Sequence, residues 1–157
     1  LAKKILEKID VDDLREKFKR EEDIGKIKSF FIGISNVDKD LANEILEKIY
    51  VDDLREKFKR EEDIGKIGLF FIWISNVDND LAKKILEKID VDNLIEKVER
   101  EEDIWNIVDF FDGISNVDNY LAKKILEKID VNNLIEKKVK REEDIGKIGD
   151  FFDGIIF

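Results

Sequence analysis

The chain has no cysteine, no histidine, no proline and no methionine. Without cysteine there are no disulfides and no thiolate nucleophile, and without both cysteine and histidine there is no zinc site of the usual kind. Without histidine no imidazole is available as a general base near neutral pH. These absences lead us to expect no enzymatic activity, no cofactor and no resident metal. Without proline, no ring interrupts helix continuation. No apolar run approaches the roughly 20 residues that span a bilayer, so no membrane partner is expected. A recognisable signal peptide is also missing, which points to the cytoplasm. The chain starts at Leu1 and not at methionine, the start expected of a segment cut from a longer protein.

Positive charge is scarce as well. The 29 Lys and Arg residues face 39 Asp and Glu residues, for a net charge of −10. Nucleic-acid affinity rests mainly on cations that neutralise phosphates, so no nucleic-acid partner is expected. The excess is unevenly placed. Residues 1–40 hold ten charges of each sign and residues 121–157 hold eight of each, so both stretches are neutral. Residues 41–80 have ten acidic and six basic residues, and residues 81–120 have eleven and five. Only the middle of the chain is strongly acidic.

What the chain does have is 43% apolar and 43% charged residues. Few neutral polar side chains remain. That mixture suits amphipathic helices carrying both signs of charge and argues against disorder. It is also strongly periodic. The stretch Leu1–Ile9 returns with two changes at Leu41–Ile49 and unchanged at Leu81–Ile89 and Leu121–Ile129. A Ser-Asn-Val-Asp motif begins at Ser35, Ser75 and Ser115. A fixed period of about forty residues marks an array in which each unit buries its apolar face against its neighbours. The expected units are 1–40, 41–80, 81–120 and 121–157, together one domain.

Three helical patterns succeed one another inside each unit. In the second, Leu41, Ala42, Ile45, Leu46 and Ile49 form one stripe of a 3.6-residue helix. Val51, Leu54 and Phe58 form the next stripe, and Ile64, Ile67, Phe70, Phe71 and Ile74 a third and longer one. Asp10, Asp90 and Asp130 are natural N-caps for the second helix, and Tyr50 stands where the second unit should have its own. Asn36 and Asp38, with their copies, are alternative caps for the first helix. Glu61, Glu62 and Asp63 place negative charge at the positive end of the third. The run Lys19–Asp23 and its copies reads as a solvated connector and helix start. Three helices per forty-residue unit resemble the armadillo/HEAT class of α-solenoids, over the whole chain but at the level of period and helix pattern only. The resemblance implies an all-α solenoid of four units, with partners bound along a surface formed by equivalent helices. The glycine-proline bend often seen in armadillo units is absent.

The fourth unit contains one extra residue, Lys138, before Val139. Inside a helix, one added residue turns everything after it by about 100°. Either the second helix bulges or the connector after it absorbs the insertion, and the connector is the simpler expectation. The unit ends in Gly154-Ile155-Ile156-Phe157, an apolar tail that reads as a cut or as a cap on the last helix pair.

Comparing the units locates the positions that differ among them. On the third helix these are residues 25, 28, 29, 32 and 33 and their counterparts, one arc nearly opposite the Ile/Phe stripe. Along the chain this arc passes from apolar (Ile32, Leu69, Ile72, Trp73) to acidic (Asp109, Asp112, Asp150, Asp153), with Trp105 near the change. The functional reading is a groove for a protein or peptide segment with apolar residues followed by basic ones. Trp73 and Trp105 would then be the anchors. The plainer reading is drift on a solvated face, with the rings packed under neighbouring units. The i, i+3 aspartate pairs have the oxygen chemistry for a hard cation, but no other ligand type or tight loop accompanies them. The helix glycines at 25, 65, 68 and 146 are places where another helix can approach, whether from the next unit or from a ligand. Two functions remain: a protein-binding scaffold that is also capable of self-association, or a structural spacer or engineered array without a ligand of its own.

Overall fold

The computed structural model describes residues 1–155, and all regular structure within them is helical. The apolar tail residues Ile156 and Phe157 lie outside the described residues. The first forty residues form α1 (Ala2–Leu6), α2 (Val11–Arg20) and α3 (Ile24–Val37). The next forty form α4 (Lys39–Lys48), α5 (Val51–Arg60) and α6 (Ile64–Val77). Then come α7 (Asn79–Glu87), α8 (Val91–Arg100) and α9 (Ile104–Val117). The last are α10 (Asn119–Lys128), α11 (Val131–Leu134), a π-helical stretch at Ile135–Val139, and α12 (Ile145–Gly154).

Aspartates set the helix boundaries. Asp38, Asp78 and Asp118 each end one helix in extended backbone and begin the next, their carboxylates accepting from the N–H groups of Leu41, Leu81 and Leu121. Aspartate, and not Asn36 or its copies, is therefore the cap. Asp10, Asp90 and Asp130 cap the second helices as their composition predicts, while Tyr50 offers no side-chain cap to α5. The acidic run before each third helix is built into a turn. Glu21 accepts from the Asp23 N–H, and the Asp23 carboxylate then accepts from the Gly25 N–H. The same pair of bonds recurs at Glu61/Asp63, Glu101/Asp103 and Glu142/Asp144. Each joins N–H groups at a helix start that the helix itself cannot satisfy.

The apolar stripes meet in one core. Ile64, Ile67, Phe70, Phe71 and Ile74 on α6, and Ile104, Ile107, Phe110, Phe111 and Ile114 on α9, are all buried. Several ring pairs within a unit meet edge to face, as where Phe58 of α5 approaches Phe70 of α6 at 4.9 Å between centroids and 87° between planes, while Phe58 and Phe71 stack. The long helices pack in chain order, α3 on α6, α6 on α9 and α9 on α12.

The extra residue of the last unit is taken up inside the second helix, contrary to the expectation that the connector would absorb it. The π-helical stretch holds it, with the Lys140 N–H returning to the Ile135 carbonyl.

Candidate functional site

The variable arc of the third helices divides in two. Gly65, Gly68 and Gly113 are buried between α6 and α9. A Cβ on Gly68 would meet the Asp109 carbonyl, one on Gly113 would meet Gly68 itself, and one on Gly65 would come within 2.6 Å of the Asn106 side chain. These glycines let α6 and α9 touch backbone to backbone, so at 65 and 68 the approaching helix is the adjacent unit. Gly25 and Gly146 face only their own N-cap aspartates, and serve no such crossing.

The other part of the arc faces outward. Leu69, Trp73, Trp105, Asp112, Asp150 and Asp153 are exposed, with Trp73 at 54% and Trp105 at 47%. Ile32, Ile72 and Asp109 are half-buried. Each tryptophan is shared with a neighbouring unit. The Lys28 ammonium of α3 lies 5.7 Å from the Trp73 ring centroid, and the Lys147 ammonium of α12 lies 5.0 Å from that of Trp105. At such exposure a cation–π contact contributes about 0.5–1 kcal/mol. Leu69 also lines a cleft of about 200 Å³ between α3 and α6, with Gly25, Lys28, Lys66 and Phe70.

The structure does not bring the two rings together. Trp73 is the tenth residue of α6, whereas Trp105 is the second of α9. The glycine contacts, Gly65 on Asn106 and Gly68 on Asp109 and Gly113, show α6 and α9 running in the same direction, so the rings are offset by roughly 14–20 Å along the axes. They flank a surface rather than line one pocket. Beside it, burial first, and then the Asp112, Asp103 and Asp63 carboxylates, hold the Asp109 carboxyl above the usual aspartate range. Among the described residues no three Asp, Glu, His or Cys side chains are grouped to hold a metal ion.

One row of polar residues escaped the sequence reasoning. Lys57, Lys97 and Lys138 are buried. Lys97 Nζ donates to the carbonyls of Phe58, Lys59 and Glu61 at 2.6, 2.8 and 2.6 Å, closing the end of α5 in the preceding unit. Lys138 reaches Val98 and Glu99 in the same way, and Lys57 reaches Lys19. Burial lowers the pKa of both Lys97 and Lys138. The available signal was the spacing: Lys57 lies between Leu54 and Phe58 on the buried arc, where a solvated lysine has no place. A cleft of about 530 Å³ lies apart from all the sequence candidates, among Lys83, Leu86, Ile89, Val117 and Leu121.

No helix among the described residues is long and apolar enough to cross a membrane. No family model matches the chain, and no curated protein and no solved structure matches it.

Proposed function

We propose that the chain is an α-solenoid of four helical triplets, in the manner of the armadillo/HEAT class, working as a cytoplasmic scaffold that binds a protein or peptide and catalyses nothing. The observation that carries this reading is the pair of half-exposed tryptophans on the row of third helices. Large aromatic side chains on a rigid helical layer, with Leu69 and Ile72 beside them, are the residues that dominate interface energies when covered. The acidic Asp109, Asp112, Asp150 and Asp153 continue the surface toward the C-terminal end. They fit a segment whose apolar residues precede its lysines or arginines, because opposite charge selects partner and orientation. The shared rings favour binding across units over binding to any one of them.

The test is a titration with synthetic peptides that carry an apolar block followed by Lys or Arg, read by tryptophan emission. A saturable blue shift that weakens as salt rises is expected, since exposed charges are screened within about 10 Å at 0.1 M salt. Trp73→Ala should weaken binding by tenfold or more while helical content and melting temperature hold. The absence of any saturable change across the peptide series, or a collapse of stability on removing the ring, would leave the structural-spacer reading in its place.

A further inference from the structure

The second helices repeat one pair of basic residues: Lys17 with Arg20, Lys57 with Arg60, Lys97 with Arg100, and Lys138 with Arg141. At two joints between units the arginine reaches back to a glutamate of the preceding unit, Arg60 to Glu22 at 2.6 Å and Arg100 to Glu62 at 3.5 Å. Glu102 is the next glutamate of that series. Among the described residues, however, Arg141 makes no ion pair with it. The reason is local. Arg60 and Arg100 are the last residues of regular helices, whereas Arg141 lies in the turn after the π-helical stretch that holds the insertion. This joint lies inside the chain, with both of its units present.

A cavity of about 250 Å³ opens where the pair is missing. Glu99, Arg100 and Glu102 line it from one unit, and Asn133, Lys137, Lys138 and Arg141 from the next. Four cations against two carboxylates make its lining positive, in a chain of net charge −10.

Several of these groups have bonding capacity to spare. Lys138 is only 5% exposed, yet it gives two of its three N–H donors to the Val98 and Glu99 carbonyls. Its copy Lys97 gives all three. Lys137 and Arg141 have no side-chain hydrogen bond or ion pair among the described residues. Asn133 holds a buried side-chain oxygen without a partner, and the same amide turned end for end presents N–H donors there. The carbonyl end of α8 is unfavourable to an anion, but the Lys138 ammonium already covers two of those carbonyls. Buried polar groups are rarely left unpaired, and an oxyanion supplies several acceptors at one point.

We propose that this cavity binds a small free anion of the phosphate class, held by Arg100, Lys137 and Arg141 with the spare Lys138 N–H as a fourth donor. The planar fork of arginine suits phosphate oxygens taken two at a time. The volume is below the roughly 300–1,000 Å³ of sites for drug-sized ligands, which favours a compact anion. Lys137 has no copy in the other units, so the insertion builds the site. It belongs to the second helices and not to the tryptophan surface, so this proposal and the peptide-binding reading fail separately.

The experiment is calorimetric titration of the full chain at low salt with pyrophosphate and, separately, with glycerol 3-phosphate. Saturation at one site per chain is expected, with a Kd below roughly 1 mM for the better probe. Tighter binding of the first identifies a bare diphosphate, and of the second a monoester; either upholds the site. Lys137→Gln and Arg141→Gln change exposed residues, so each should keep the wild-type melting temperature while weakening binding by about tenfold. Glu102→Gln should tighten it, because a like charge is removed. Lys123→Gln, an equal loss of charge on α10 outside the cavity, should change nothing. No saturation by either probe up to roughly 10 mM overturns the proposal. So does a loss on Lys123→Gln equal to that on Arg141→Gln, which would mean attraction to the surface at large, or weaker binding by Glu102→Gln.

Discussion

Replacing Lys97 by methionine tests the contact that ties one unit to the next. The lysine ammonium has three N–H donors, and all three are used, by the carbonyls of Phe58, Lys59 and Glu61. The receiving helix end depends on them. Glu21 and Glu101 turn their N–H groups back onto α2 and α8, but among the described residues Glu61 makes no such bond to α5. Hydrogen bonds to a charged group contribute about 1.5–3 kcal/mol each, and the ammonium also sits at the negative end of a helix dipole. Against this stands the cost of burying the charge, seen in the lowered pKa of Lys97. Methionine keeps most of the apolar stem but leaves three carbonyls without their donor. Breaking one side of a buried charged contact costs about 3–5 kcal/mol, and we expect about 3 here, a fall of roughly 6–12 °C in melting temperature for a chain of this size. The molecule contains its own controls. Lys57 makes one such bond, and its loss should cost about 1.5–2 kcal/mol, less than the loss of three. Lys17 is exposed, and Lys17→Met should fall within about 0.5 kcal/mol of wild type. Urea unfolding followed by circular dichroism reads the differences, provided that the slope with denaturant is unchanged. The reasoning is refuted if Lys97→Met is neutral or stabilising, as some replacements of buried ions are, or if Lys17→Met costs as much.

Two further perturbations test the local electrostatics and the caps. Because burial and three carboxylates raise the pKa of Asp109, the folded chain holds that proton to higher pH than the unfolded chain does. The group's stabilising contribution is complete below the ordinary aspartate value and is lost as pH rises through the raised one. Asp109→Asn should therefore raise the melting temperature near pH 7 and lose that advantage near about pH 3; an equal shift at both pH values would refute it. Tyr50→Asp should give α5 the N-cap that Asp10 and Asp90 give α2 and α8, a gain of about 1 kcal/mol. Against that gain, the exposed contacts of Arg15 with the Tyr50 ring and hydroxyl are lost, at about 0.5 kcal/mol. A net rise of about 1–2 °C is expected, and a fall would show that the Arg15 contacts outweigh the cap.

Much of this fold was legible because the chain contains its own internal comparison. The Ile/Phe stripe of each third helix is a local pattern, fixed by the 3.6-residue period, and the residues it marks on α6 and α9 are buried. The capping aspartates are also local, since a carboxylate two or three residues before a free N–H needs no neighbour to act. What could not be read from one unit is where the next unit lies. Gly68 and Trp73 occupy the same variable arc, yet one is sealed against α9 and the other is half-exposed. Only the crossing of two helices distinguishes them. Lys97 reads as one more charged helix residue until the helix end that it serves, some 38 residues earlier, is beside it.

The insertion at Lys138 shows how such distant contacts override the local preference. Had the connector absorbed it, α11 would have continued as a regular helix and Lys137 would occupy the place of Lys97. Lys138 and Val139 would then be rotated by about 100° each relative to their copies. The structure instead keeps two points fixed. Leu134 is buried like Leu94 before it, and Lys138, four residues on, is buried with its Nζ 2.6 Å from the Val98 carbonyl. Between Leu94 and Lys97 there are two residues, and between Leu134 and Lys138 there are three. A helix pinned at both ends has to widen where the extra residue falls, and Ile135–Val139 is π-helical for that reason. Lys137 is left exposed. The regular hydrogen bonds that the helix gives up there are worth less than the seat of one buried ammonium on the unit before it.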